Sequence, residues 1–351
     1  MALSRIRLPL SRTELGLLVW FTVMSTWRAI GPAIKGPVDF GWDAVVYAHA
    51  ARALLDGGDP WQSGVPGITY AAPPPSLLPF VPFARLPDPF VQAFWVTLAI
   101  LSAIYVFRRL RMPLWWFLFP PLLLAIAAGS SALPLVALMV RGGATSDAAA
   151  AVGRIYSAVP LVLLGRFRAL LLAGAALILT APFLAWGQYI HDLPTIAALM
   201  PAQSGGGNSA LAVPVLIPVA IAGLMLIGRR RAAWLAVPAL WPNAQEYYAV
   251  IALPIAMEVP IATIAMATPL TPGIIAIGLF LQGVWDRVQA RRATAAVSAA
   301  TAPPEASAPG PASVPAAESA PASVSAQTAP APTSVSAPTS EARQGSRLEP
   351  T

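Results

Sequence analysis

Cysteine is absent from the chain, which removes disulfides, thiolate metal sites, iron–sulfur clusters and cysteine nucleophiles at once. Histidine is nearly absent too: His49 and His191 are too few for a multi-histidine metal centre. Charge is scarce, at 11% of 351 residues, where soluble domains carry about 25%. With 57% hydrophobic residues, the chain cannot cover a globule with a water-compatible surface, so lipid is the expected solvent for most of it. Proline, by contrast, occurs 38 times and glycine 25 times. Such residues argue against plain, straight membrane helices and for segments whose freed backbone groups are satisfied by neighbouring helices or a cavity.

The net charge of +7 invites a nucleic-acid reading until its distribution is seen. The arginines stand in short clusters between hydrophobic runs: Arg108, Arg109 and Arg111, then Arg166 and Arg168, then Arg229, Arg230 and Arg231. That is the pattern of cytoplasmic loops. No basic face is interleaved with aromatics, so no nucleic-acid partner is expected. The fold class that follows is all-α: a polytopic transmembrane bundle of about eight to ten hydrophobic helices, broken by proline.

The spacing of apolar runs gives the organisation. Residues 1–13 form a basic cytoplasmic N-terminus, and the run Leu15 to Ile30 reads as an uncleaved first transmembrane helix, because no small-residue cleavage site follows it. A first extracytoplasmic loop occupies 31–89. Spans are predicted at Phe90 to Phe107, Pro113 to Gly129, Ala148 to Leu164, Ala169 to Trp186 and Leu211 to Ile227. The stretch Ser130 to Val140 is too short to cross and reads as re-entrant or surface-lying. A second outer loop covers 188–208. The run from Trp234 to Trp285 is apolar but punctuated by prolines. The transmembrane domain thus spans 14–292. The remainder, 293–351, is Ala, Pro, Ser and Thr with too few large apolar residues to offset the entropy of ordering, and a disordered tail is expected.

Acids collect in the outer loops, where Asp39, Asp43, Asp56, Asp59, Asp88, Asp192 and Glu246 all fall. The first loop is the most informative. Residues 43 to 55 read as an interfacial amphipathic helix stopped by Gly57 and Gly58, with Asp43, Val46, Tyr47, Ala50 and Leu54 on one face and His49, Arg52 and Asp56 opposite. Asp43 therefore sits on the apolar side. Two readings stand together: it caps the helix, or it faces a membrane-level cavity where a carboxylate can accept a proton from a substrate hydroxyl. Asp39 is the next candidate base. The run Tyr70 to Pro87, dense in proline, reads as an extended, stiff entry to the second span. Arg154, a lone charge within the apolar run Ala148 to Leu164, is costly there, and a functional placement is the default expectation. Snorkelling to an interface, or pairing with an acid such as Glu258, is the alternative.

The motifs D-x-x-x-Y at Asp43 to Tyr47, G-x-D-P-W at Gly57 to Trp61, Y-x-x-P-P-P at Tyr70 to Pro75 and the prolines from Pro82 to Pro87 together resemble glycosyltransferase family 87 of the GT-C superfamily. That group includes polyprenol-phosphate-mannose-dependent α-1,2-mannosyltransferases and relatives of arabinofuranosyltransferases. Arg154, Tyr156 and Pro160, the turn from Gly165 to Arg168, Asn208 with Ser209, and Trp241 to Pro254 are similar to later family segments. Two departures stand out. Tyr247, flanked by Gln245 and Glu246, replaces a histidine–tyrosine pattern, and residues 130 to 147 are short; both are compatible with an altered acceptor or with loss of activity.

The resemblance implies a GT-C fold and a hexosyltransferase, mannosyltransferase-like, in the plasma (inner) membrane with its site on the extracytoplasmic face. The donor would be a polyprenyl-phosphate-linked sugar and the acceptor a hydroxyl of an envelope glycolipid or glycan, with membrane lipid as the surrounding partner. Asp43, or Asp39, would act as base; Arg154 would meet the leaving phosphate; Tyr47, Tyr70, His191, Asn208, Glu246 and Tyr247 would contact donor or acceptor. No metal ligand set is implied, and dependence on a divalent ion stays open. The expectation to check is that Asp43 and Arg154 open onto one outer-leaflet cavity. A lipid or solute transporter, or a flippase, is the rival class, since broken helices and an intramembrane arginine suit one; transporters commonly show paired halves, and no internal repeat is visible.

Overall fold

Proline, which fixes φ and lacks an N–H, decides how this chain is cut into elements. In the computed structural model, residues 10–35, 40–65, 68–204, 208–268 and 272–301 are described. In chain order they form α1 (Arg12–Lys35), α2 (Trp42–Leu55), a two-residue hairpin of β1 (Gly64–Val65) and β2 (Ile68–Thr69), and a 3-10 helix Pro74–Phe83. Then come α3 (Asp88–Leu110), a 3-10 turn Leu114–Leu118, α4 (Pro120–Ala127), α5 (Ala132–Arg141) and α6 (Ala144–Gly153). After a short turn at Ile155–Ser157 follow α7 (Ala158–Leu163), α8 (Phe167–Thr180), α9 (Trp186–Ser204), α10 (Ile217–Ile227) and α11 (Arg229–Leu240). A 3-10 helix Glu246–Glu258, α12 (Pro260–Ala267) and α13 (Ile274–Thr301) complete the series. Residues to Ser298 belong to one packed unit; of a second, Ala299–Thr351, only the last turn of α13 is described.

The molecule is mostly helical, but the helices are shorter and more numerous than the apolar runs predict. The helix α3 is long and apolar enough to cross a membrane. Two pairs reach that length only across a sharp bend: α4 with α5, bent by 115°, and the segment Phe167–Phe183 with Trp186–Met200, bent by 101°. By length and composition that makes one candidate span among the described residues, or three if each bent pair is one. Helix α3 shows why it persists: Pro87 precedes it in an extended conformation, Asp88 lies in its first turn, and Arg108 and Arg109 lie in its last, each matching the helix dipole.

Several expected segments divide differently. Pro113 to Gly129 is split by the turn Leu114–Leu118, and Pro120 starts a new helix where its missing donor costs nothing. Ala148 to Leu164 is broken at Arg154, whose backbone is extended at φ −150°, ψ 119°. The segment Ser130 to Val140 is largely helical and turns sharply from α4, and Leu133, Val136 and Met139 are buried against the rest of the protein. Most of the expected second outer loop is helix α9. The proline run expected to be extended is instead wound as the 3-10 helix Pro74–Phe83, a geometry whose φ proline already has. Helix α13 overlaps the first residues of the expected disordered tail; 302–351 lie outside the described residues.

The core gathers where α1, α4, α5 and α11 meet the 3-10 helix Glu246–Glu258. Phe21 of α1 packs its ring at 5.1–5.8 Å from Trp115, Trp116 and Phe119. Leu122, Leu133, Leu235 and Ile251 are fully buried around them. Helices α12 and α13 approach so closely that a Cβ on Gly278 would lie 2.4 Å from that of Ala265. Small residues at such contacts let backbones meet without a bulky seam.

Candidate functional site

A cavity of about 380 Å³ lies beside the N-terminal half of α2. Its walls come from α2, the segment Ile68 to Pro73, the break Arg154 to Tyr156, α9, and the segment Trp241 to Tyr248. The start of α2 is fixed to the end of α4. Gly41 enters the helix in the left-handed region at φ 75° and donates its N–H to Ala127 at 2.7 Å, and the N–H of Asp43 reaches the carbonyl of Ala128 at 3.0 Å. A Cβ at Gly41 would stand 2.8 Å from that of Gln92, so only glycine fits there.

This clamp sets the direction of Asp43. Its side chain makes no capping bond; Gly41 occupies the cap, and the capping alternative does not hold. The carboxylate instead faces the guanidinium of Arg154, Oδ2 to Nη2 at 3.6 Å. Arg154 donates from Nε to the Ser131 hydroxyl at 3.1 Å and lies with its carbon 4.4 Å above the ring of Tyr47. Both Asp43 and Arg154 are 7% exposed. Burial raises the pKa of Asp43 above the ordinary carboxylate value, against the opposing pull of Arg154 and Ser130.

Helix α2 is not the surface helix expected. Residues Asp43 to Ala48 and Ala50 and Ala51 are all buried, because its alanines let the 3-10 helix Pro74–Phe83 and α3 pack on it from several sides. The polar face is used up internally: His49 pairs with Asp88 at 3.0 Å, and Arg52 donates to the carbonyls of Ala84 and Leu86. The motif residues around it build the wall. Asp59 accepts from the N–H of Trp61, the Trp61 indole donates to Ala72, and the Tyr70 hydroxyl is tied to Pro73 and Ser76.

Of the other expected site residues, Tyr47, Tyr70 and Tyr247 line the cavity. Glu246 does not; it forms an ion pair with Arg28 of α1. His191 is exposed on α9 and points elsewhere, while its helix mates Tyr189 and Met200 contribute to the wall. Asn208 acts through its backbone, accepting from Gly273 and donating to Ala244. Asp39 lies outside the described residues. Glu258 pairs with Arg230 and Arg231, so it is not the partner of Arg154.

Trp42, Tyr156, Tyr189 and Tyr248 line the cavity without having been singled out as site residues. The double tyrosine and the residue two beyond a buried arginine were the available signals. Two buried donors there, Arg154 Nη2 and the Tyr156 hydroxyl, have no hydrogen-bond partner among the described residues. Buried polar atoms are normally bonded, so such a pair on a cavity wall is suited to a polar ligand. A buried acid, a buried cation and a sleeve of aromatic rings can hold a ring-shaped polar molecule and move a proton from it. Among the described residues no group of three or more His, Asp or Glu is placed to hold a metal ion. Compared with known proteins, the chain matches no family model, no curated protein and no solved structure.

Proposed function

We propose that this chain is a polytopic membrane glycosyltransferase that moves a hexose, mannose first among them, from a polyprenyl-phosphate donor to a hydroxyl of an envelope glycolipid or glycan. The reading places it in the plasma membrane with the cavity on the extracytoplasmic side. One observation carries it: Asp43 and Arg154 stand 3.6 Å apart, both buried, on the wall of a tyrosine- and tryptophan-lined cavity. The resemblance of the surrounding motifs to glycosyltransferase family 87 adds to it.

In the proposed step the acceptor oxygen attacks the anomeric carbon while the Asp43 carboxylate takes its proton. The bond from that carbon to the phosphate oxygen breaks, and polyprenyl phosphate leaves with the electron pair. Arg154 meets the charge that develops on the leaving oxygen, and its Nη2 has a donor to give. Aromatic rings at Trp42 and Tyr247 are suited to the apolar faces of a sugar ring.

The test is transfer from a labelled polyprenyl-phosphate hexose in membranes holding equal amounts of each protein. Asp43→Asn is expected to slow transfer by about 10²–10⁴-fold. Undiminished transfer in that variant removes Asp43 as the base. The two sharply bent helix pairs favour a second reading, a carrier of lipid-linked substrate. Vesicle flux of the lipid without any transfer would select it.

A further inference from the structure

A second cavity, of about 420 Å³, opens where three arginine turns meet: Arg109 at the end of α3, Arg166 ahead of α8, and Arg230 in the first turn of α11. These residues are far apart in sequence, yet the fold brings them to one wall. The rest of the lining is apolar and includes Met139, Leu164 and Trp234.

The electrostatics of this cavity are one-sided. Helices α8 and α11 both begin beside it, and neither has an acid in its first turn. A helix N-terminus carries partial positive charge, so Arg166, Arg229, Arg230 and Arg231 stand at the ends where cations are least favoured. Carboxylates answer part of this. Asp147 receives Arg166 at 3.0 Å, Glu258 receives Arg230 at 3.1 Å and Arg231 at 3.3 Å, and Asp286 receives Arg231 at 2.7 Å. None of these three acids lines the cavity, and Arg109 has no carboxylate partner among the described residues. Three guanidiniums and two positive helix ends around an opening walled with apolar side chains are the chemistry of an anion bearing an apolar portion.

We propose that this second cavity binds a phosphate ester, the phosphate held by Arg109, Arg166 and Arg230. Anionic phospholipid headgroups and soluble phosphate esters share that chemistry, and the apolar wall gives the lipid chain or ester a place beside Trp234. The site is independent of the cavity at Asp43 and does not rest on the transferase reading.

The experiment uses the full chain in detergent, titrated in parallel with short-chain phosphatidylglycerol, short-chain phosphatidylcholine, glycerol phosphate and inorganic phosphate, and read by the shift in thermal midpoint and by equilibrium binding. Saturable binding of phosphatidylglycerol, with phosphatidylcholine and glycerol phosphate inert, identifies a lipid headgroup site. Equal binding of glycerol phosphate identifies a soluble ester. In either case Arg109→Ala and Arg230→Ala are each expected to weaken binding about tenfold. Both side chains are exposed, so their loss leaves the fold intact, and Arg109→Lys should retain most of the affinity. Failure of all the phosphate-bearing probes to bind, or equal binding by wild type, Arg109→Ala and Arg230→Ala, overturns the proposal.

Discussion

The two cavities hold their charges in opposite ways. At the first, one carboxylate and one guanidinium are enclosed together, and each is the other's nearest ionic partner. At the second, arginines reach outward from three elements, and the side chain of Arg230 is 75% exposed. The contrast teaches where an ion matters for the fold itself. A buried charge stripped of its partner has no water to turn to, whereas an exposed one is rehydrated. The first cavity therefore ties its chemistry to its stability, and the second separates them.

The sharpest way to break that contrast is to remove the cation from each. Arg154→Ala leaves Asp43 enclosed without its ion and is expected to cost about 3–5 kcal/mol in unfolding free energy, read by chemical denaturation in detergent. A loss below 1 kcal/mol would mean that water reaches the acid. Next comes pH. Because burial raises the pKa of Asp43, and the proposed base must be deprotonated, the proposed transfer should rise with pH through a limb above the ordinary carboxylate value of about 4. A pH–rate profile already flat from there upward contradicts it.

Gly41→Ala is expected to cost about 1–3 kcal/mol, since the position is left-handed and the added Cβ would stand 2.8 Å from that of Gln92. Transfer should fall with it, as the clamp that aims Asp43 loosens. Smallest of all is Arg230→Ala, expected to change stability by less than about 1 kcal/mol, with transfer unchanged. An effect as large as that of Arg154→Ala would erase the distinction between the cavities.

Much of this arrangement was legible in the sequence, and the part that was not has physical reasons. The helical class follows from apolar runs and scarce charge. Asp43 and Arg154 were visible as single charges among apolar neighbours, and both line one cavity. Their direct pairing was not visible, because it depends on the sharp turn from α4 to α5, where Ser131 accepts from Arg154 and the carbonyl of Ala128 accepts from the N–H of Asp43. Glu246 looked equivalent to its neighbours, yet a 3-10 winding points adjacent side chains about 120° apart, so Tyr247 turns to the cavity while Glu246 meets Arg28. His191 resembled a loop residue because α9 mixes polar residues and prolines; as a helix, it exposes that side chain and turns Tyr189 inward. Proline breaks were legible as breaks but not as 3-10 turns, since the sequence does not say which neighbour compensates each lost bond.

Glu246–Glu258 runs for 13 residues as a 3-10 helix, with Tyr247 and Tyr248 at one end on the first cavity and Pro254 and Ile255 on the second. At about 2.0 Å per residue it extends about 26 Å, against about 20 Å for the same residues in α geometry. The segment is thus a ruler whose two ends are each held to a separate mark. Deleting one residue would shorten it and rotate one end by about a third of a turn, so no single-residue length change can keep both the tyrosines and Glu258 in register.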